Sequence, residues 1–349
     1  MKKQVKAGSL LIGGGAPISV QSMTNTRTEN TEATLAQIRA LAAAGCDLVR
    51  VSVYNDACVR AVRELTDKSP VPLCADIHFD YRLAIGAVEN GISKLRINPG
   101  NIGGEDRVRR VADCLKRHHI PVRIGVNAGS LEKDILHKYG GATAEGMCES
   151  ALNHARLLEK AGFDDIVFSL KASDVRLTVE AYRLMDKMSA YPLHVGVTEA
   201  GLPGEGTVKS AIGIGALLLD GIGDTVRVSL TGDPIREPEA ALTILRALGL
   251  RGGIRFTSCP TCGRTRIDVE AVSSALKKEL SGLDSDISVA VMGCVVNGPG
   301  EARDKDIALC GGDGCGALYV KGEFVRRLSG DLTAEMVRAV KEYIANDKG

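Results

Sequence analysis

The sequence predicts a (β/α)8 TIM barrel followed by a small α+β domain. Three observations carry this expectation. A short β-branched run followed by an Ala/Leu-rich segment of helical spacing recurs eight times between residue 18 and about residue 250. The strand runs are apolar on both faces, as in a buried parallel sheet. The pattern then breaks at "LGLRGG", residues 248–253, and a different order of elements follows.

The barrel strands are expected at 18–24, 47–53, 72–78, 94–100, 121–127, 165–171, 193–199 and 225–230. Between and after them, apolar residues recur at three- and four-residue intervals over 31–45, 55–68, 80–91, 106–119, 146–162, 174–188, 208–223 and 237–249. Several of these segments end at Gly, the residue that accepts a helix C-terminus in the left-handed region. No G-x-G-x-x-G follows the first strand, which favours a closed barrel over an open doubly wound sheet. "IGGG" at 12–15 precedes that strand and reads as the turn of an N-terminal hairpin. The domains are therefore expected at 1–250 and 251–349. In the second, strands are expected at 254–258 and 287–293 and as a pair within 306–323, with helices at 268–282 and 333–346.

Composition narrows the function classes. A formal net charge of +1 gives no whole-protein case for nucleic acid or an anionic membrane as partner. With no Trp and 3% aromatics, a base-stacking platform is not expected. No apolar stretch has the length of a membrane span or of a signal core, so a soluble cytoplasmic protein is expected. Ten cysteines then read as free thiols or metal ligands, not as a disulfide framework.

A barrel of this kind assembles its site at the C-terminal strand ends. Those ends offer Arg27 after the first strand and Arg50 in the second, then Asp76 and His78, Arg96 and Asn98, Arg123 and Asn127. Ser169 and Lys171 end the sixth strand, Thr198 and Glu199 the seventh, and Arg227 and Ser229 fall on the eighth. One Arg at a strand end can simply pair with a carboxylate. Six cations on one rim (Arg27, Arg50, Arg96, Arg123, Lys171 and Arg227) are electrostatically costly without a bound anion. Arg forks suit phosphate oxygens, so a substrate with several negative charges, most simply a diphosphate, is expected. No P-loop motif is present. His78 with Asp76 could ligate a metal, but partner histidines are missing, and hydrogen bonding or proton transfer suits His78 better. His194 is expected at the lower end of the barrel, away from this set.

In the second domain "CPTCGR" (259–264) and "MGCVVNGPGEA" (292–302) place Cys259, Cys262 and Cys294 near Glu301. Three readings compete. A redox C-x-x-C leaves Cys294 unexplained. A structural zinc site would have to draw on Cys310 or Cys315, since the domain has no His. An iron–sulfur cubane on three thiolates fits the count and leaves one position for a weaker ligand, which Glu301, beside the rigid "NGPG" turn, could supply. Cys46, Cys58, Cys74, Cys114 and Cys148 read as small buried hydrophobes.

The motifs "PISVQSMTNTRT", "ADIHFD", "LRINPGNIG", "RIGVNAGSL", "SLKASD", "GVTEAG", "VRVSLTGDP", "SCPTCGRT" and "MGCVVNGPGEAR" occur in this order along the chain. In this the sequence resembles the bacterial 4-hydroxy-3-methylbut-2-enyl diphosphate synthases of the non-mevalonate isoprenoid pathway, in their shorter two-domain form. The resemblance implies one 4Fe-4S cluster on Cys259, Cys262, Cys294 and Glu301; a hard carboxylate is held less firmly there than a fourth thiolate, so Glu301 is expected to be displaceable. It implies 2-C-methyl-D-erythritol 2,4-cyclodiphosphate as substrate, held by Asp76, His78, Arg96, Asn98, Arg123, Asn127, Lys171, Glu199, Arg227 and Ser229. Reductive ring opening and dehydration would follow, with Glu199, Glu301 and His78 as the catalytic set. It further implies a flavodoxin or ferredoxin as electron donor and a homodimer in which each cluster domain caps the partner's barrel. The "CGGDGCG" hairpin is not carried over as functional. A barrel lyase or transferase for another phosphorylated substrate, with a structural metal, is the competing expectation.

Overall fold

The computed structural model describes residues 2–283 and 285–347. The chain divides into two compact units, one up to Leu250 and the other from Arg251 on.

The first unit opens with a hairpin, β1 (Val5–Ala7) and β2 (Leu10–Ile12), then alternates strands and helices. In order these are β3 (Ser19–Met23), α1 (Thr31–Ala43), β4 (Leu48–Ser52), α2 (Asp56–Lys68), β5 (Leu73–Asp76), α3 (Tyr81–Glu89), β6 (Lys94–Ile97), α4 (Glu105–His118) and β7 (Val122–Asn127). A short α5 (Lys133–Tyr139) precedes α6 (Ala144–Lys160), β8 (Ile166–Lys171), α7 (Val175–Met188), β9 (His194–Val195), α8 (Glu205–Leu219), β10 (Thr225–Val226) and α9 (Arg236–Ala247). Asn30, Asn55, Asp80, Thr143 and Asp174 cap their helices by accepting a first-turn backbone N–H.

The eight barrel strands run in the order β8-β7-β6-β5-β4-β3-β10-β9, with parallel pairing throughout. This is the expected TIM barrel. An apolar layer between strands and helices, including Val49, Val51, Leu95, Ile97, Ile124 and Leu170, forms the main core. The hairpin lies across one end, where Val5, Ala7 and Ile12 pack on Val167.

Local departures have identifiable causes. The hairpin turns at Gly8, in left-handed conformation, and Gly13–Gly15 lie beyond its second strand. β9 and β10 are two residues each, shorter than the expected runs. At Gly196 a Cβ would stand 2.3 Å from the Arg227 carbonyl oxygen, so only glycine allows this close backbone approach. α5 falls in a stretch assigned to no element from sequence. Ile135 is buried beneath it, and Gly140 ends it with φ 70°.

The β8–β9 closure is the thinnest part of the barrel. It is an isolated bridge between Phe168 and Leu193, with Phe168 N–H donating to the Pro192 carbonyl at 2.9 Å. Tyr182, fully buried on α7, reinforces it. Its hydroxyl donates to the His194 carbonyl at 2.5 Å and accepts from Leu170 N–H at 3.1 Å.

The second unit is a five-stranded sheet, ordered β11 (Arg255–Ser258), β12 (Ser288–Met292), β13 (Ile307–Gly312), β14 (Cys315–Val320) and β15 (Glu323–Ser329). The first three strands are parallel and the last three antiparallel. β15 was not expected; its alternate residues are mostly exposed, and Leu328 alone is buried. α10 (Val269–Glu279) and α12 (Leu332–Asp347) supply Val272, Leu276, Met336 and Val340 to one apolar cluster with the sheet. A single turn, α11 (Gly298–Glu301), follows the Cys294 loop.

Tyr182→Phe leaves a buried carbonyl and a buried N–H without their partner. A loss of about 2 kcal/mol in unfolding free energy is expected by denaturant titration, with little change in slope.

Candidate active site

Side chains alternate along a strand, so Lys94 and Arg96 share the inward face of β6, as Cys74 and Asp76 do on β5. The barrel interior is therefore polar towards the C-terminal strand ends, with Asp76 at its centre. Its Oδ1 lies 3.1 Å from Arg96 Nη1, and its Oδ2 lies 3.7 Å from Arg50 Nε and 3.5 Å from His78 Nε2. Burial alone would raise the Asp76 pKa; Arg50, His78 and Arg96 outweigh it and hold the carboxyl well below the usual range.

The cations around Asp76 are individually seated. Arg96 donates to the Gly125 carbonyl at 3.2 Å, and Gly125 N–H donates to Asn98 Oδ1 at 3.1 Å. A Cβ at Gly125 would come within 2.8 Å of Arg96 Nε, so this glycine makes room for the guanidinium. Arg50 points Nε and Nη2 at the Met23 sulfur, 3.0 and 2.8 Å away. Arg227 is gripped by buried Glu237, Nε to Oε2 at 3.2 Å and Nη2 to Oε1 at 3.3 Å, and Glu237 also accepts from Ser22 and Leu230 N–H. Arg123 is 2% exposed, yet its Nε and Nη2 find no hydrogen-bond partner among the described residues. Burial, with Arg50 and Arg96 nearby, lowers its pKa to about 9. Lys171 is buried, and desolvation with Arg123 and Arg227 pushes its pKa well down.

Arg50, Asp76, His78, Arg96, Asn98, Arg123, Lys171 and Arg227 thus form one electrostatic set. Asn127 pairs in register with Lys171, and Ser169 with Gly125. Ser229 lies just beyond β10, two residues from Arg227. Arg27 and Glu199 are exposed on the loops after β3 and β9. Glu199 has φ 52°, a left-handed conformation that costs a non-glycine residue energy and clusters at functional sites.

Sequence reasoning missed several members. His194, expected far from the set, has Nε2 3.4 Å from Lys171 Nζ. Barrel stagger brings the start of one strand level with the end of its neighbour. Glu237 sits on a helix, where strand ends give no hint of it. Lys94 was legible from its spacing of two from Arg96. It is fully buried, its Nζ has no partner among the described residues, and burial lowers its pKa to about 7.

In the second unit, Cys259 follows β11 and Cys294 lies two residues beyond β12, both at carboxyl ends of parallel strands. Cys259 Sγ accepts from Gly293 N–H at 3.1 Å, which joins the two segments. The Asn297 and Val296 amides lower the Cys294 thiol pKa, and the Arg264 amide lowers that of Cys262. Glu301 is exposed on α11. Among the described residues no three Cys, His, Asp or Glu side chains stand close enough to hold a metal ion, so the four residues are not gathered into a finished site. Their chemistry nevertheless fits thiolate ligation, since amides favouring the anion surround accessible sulfurs. Cys310 is the opposite case, buried and pushed up to about 12. The five barrel cysteines are all buried.

The model of the GcpE TIM-barrel domain matches residues 2–242, and that of the GcpE protein C-terminal domain matches residues 255–346. The chain belongs to the GcpE family. GcpE family enzymes are iron–sulfur proteins. The chain is 54% identical over 340 residues to the 4-hydroxy-3-methylbut-2-en-1-yl diphosphate synthase (flavodoxin) of Clostridium tetani, covering 97% of each chain. It is 53% identical over 345 residues to the protein of the same name from Geobacter sulfurreducens, covering 98% of each. Among solved structures, the barrel is similar to 7,8-dihydropteroate synthase from Vibrio fischeri, with a TM-score of 0.50 and 10% identity over 71% of this chain and 98% of that one. This likeness concerns the fold alone. Among the described residues of this GcpE chain, no helix is long and apolar enough to cross a membrane.

Replacing Lys94 with Met removes a buried amine that has no partner among the described residues. Lys94→Met is expected to raise stability by about 2 kcal/mol at pH 7. Between about 7 and the ordinary lysine value near 10.4, the unfolded chain binds the extra proton, so the wild type gains stability as pH rises. The variant's advantage in thermal midpoint should therefore be largest at pH 7 and below and fade towards pH 10.

Proposed function

We propose that this chain converts 2-C-methyl-D-erythritol 2,4-cyclodiphosphate to 4-hydroxy-3-methylbut-2-enyl diphosphate, with flavodoxin as electron donor. Arg123 is the single observation that carries the reading. A fully desolvated guanidinium, two of its nitrogens unpartnered among the described residues, lies within the electrostatic reach of Arg50 and Arg96 and demands an anion. The relatives' names supply the diphosphate and the donor.

In this reading Arg50, Arg96, Arg123, Lys171 and Arg227 neutralise the two phosphates, and Arg27 closes over them from its loop. Asn98, Asn127, Ser169 and Ser229 donate to the remaining oxygens. Asp76 fixes Arg50, Arg96 and His78, and so sets the angle at which they meet the substrate. His78 and Glu199 border the reacting carbons, with Glu199 holding the proton that leaves with the hydroxyl as water. Ring opening and loss of that hydroxyl require two electrons in all.

Cys259, Cys262 and Cys294 would hold one 4Fe-4S cluster, with Glu301 as its fourth, displaceable ligand. When bound, the cluster supplies electrons one at a time and a Lewis-acidic iron. The same reading includes a homodimer in which the cluster domain of one protomer caps the barrel of its partner. It also includes a reducing cytoplasm, which keeps ten cysteines as thiols.

Anaerobic purification is expected to give a brown protein with about four irons per chain that turns over the cyclic diphosphate. A colourless, zinc-containing active protein would contradict the assignment. Glu301→Cys should keep the iron and lose turnover; full activity would reject a displaceable carboxylate. Arg123→Met should raise KM for the cyclic diphosphate by about a hundredfold, since it removes a desolvated charge-assisted contact.

A further inference from the structure

The loop after β6 begins at Asn98, the loop after β7 leaves the strand's last residue, Asn127, and both reach one side chain on α6. His154 is 6% exposed. Its Nδ1 lies 3.0 Å from the backbone nitrogen of Gly100, which can only donate. Its Nε2 lies 2.7 Å from Glu132 Oε1, on the loop after β7. A carboxylate can only accept, so the two contacts fix the ring with Nδ1 bare and Nε2 carrying hydrogen. Glu132 also accepts from Ser150 Oγ at 2.8 Å, and the His154 contact is the main reason its carboxyl is lowered to about 2.

Histidine, carboxylate and serine here do not form a nucleophilic triad. Ser150 donates to Glu132, not to the ring, and both ring nitrogens are engaged. The fit to Gly100 is tight: a Cβ there would stand 2.6 Å from His154 Cε1. Gly100 lies in the turn Pro99–Asn101, which is closed by Asn101 N–H donating to the Asn98 carbonyl at 2.9 Å. Asn98 in turn holds Gly125 N–H, beside Arg96.

We propose that His154 is a positioning residue for substrate binding, tying the loops after β6 and β7 together so that Asn98 and Asn127 hold their places at the rim. The proposal rests on reading that rim as the substrate site. The ring acts at a distance, through Gly100 on one side and Glu132 on the other. It contributes no group to the reaction, so its loss falls on KM and leaves kcat nearly intact.

The test uses the anaerobic holoenzyme, with iron content and thermal midpoint recorded for each variant. His154→Leu removes both contacts and should raise KM for the cyclic diphosphate about tenfold, the scale of one lost hydrogen bond, with kcat within about twofold. Amides of residues 98–104 and 128–133 should exchange faster by mass spectrometry. His154→Asn places an amide oxygen near the Nδ1 position and should restore KM to within about threefold of wild type. Gly100→Ala should raise KM in the wild type but add little to His154→Ala, because the clashing partner is then absent. Unchanged exchange in both loops, additive effects of Gly100→Ala and His154→Ala, or faster exchange without a KM change would each overturn the proposal. If His154→Leu does not fold, His154→Asn and Gly100→Ala decide it on the same readouts. A wild type inactive on the cyclic diphosphate fails the functional reading alone, since exchange in both loops, measured for Gly100→Ala, His154→Ala and the double variant, still decides whether His154 ties the loops. Faster exchange that is non-additive in the double variant supports the tie, and unchanged or additive exchange overturns it.

Discussion

The barrel interior carries more positive charge than its own carboxylates neutralise. Asp76 and Glu237 are its buried acids, and around them stand Arg50, Lys94, Arg96, Arg123, Lys171 and Arg227. Taking a charge out of water costs several kcal/mol unless it is paired and hydrogen-bonded. The fold meets part of that cost with Asp76 shared between Arg50 and Arg96 and Glu237 reserved for Arg227. The remainder is concentrated at Arg123, whose Nε and Nη2 have no partner among the described residues, and it favours a bound anion. Much else in the barrel follows from it: Gly125 and Gly196 clear space for the cations, and apolar packing is confined to the outer layer.

The fold was largely legible because its signals are periodic. Eight alternations of strand and helix survive local noise, and glycine marks helix ends whatever the tertiary context. What escaped was set by contacts distant in sequence. β9 and β10 shorten because Gly196 brings two backbones together, and no propensity encodes that. α5 is too short to show a full period. β15 is an edge strand with little buried surface to pattern it.

The site divides in the same way. The clustering of the strand-end residues was legible because the barrel fixes where such ends point. Glu237 was not, because a helix outside the barrel carries it. His194 was misplaced because stagger between β8 and β9 depends on closure geometry, not on sequence order. The thiol set was singled out by spacing and its ligand role by resemblance, and the structure adds how those three sulfurs differ from the buried cysteines. Cys262 and Cys294 meet backbone amides that favour a thiolate, and Cys259 accepts from Gly293. Cys310, nearby in sequence, is buried where a thiolate is disfavoured.

The N-terminal hairpin gives the barrel a floor. Val5, Ala7 and Ile12 pack on Val167 and cover that end with apolar side chains, so the polar groups gather towards the opposite, C-terminal strand ends. On the proposed reading, an anion reaches the cations from the side away from this floor, past Asn98, Asn127 and Glu199.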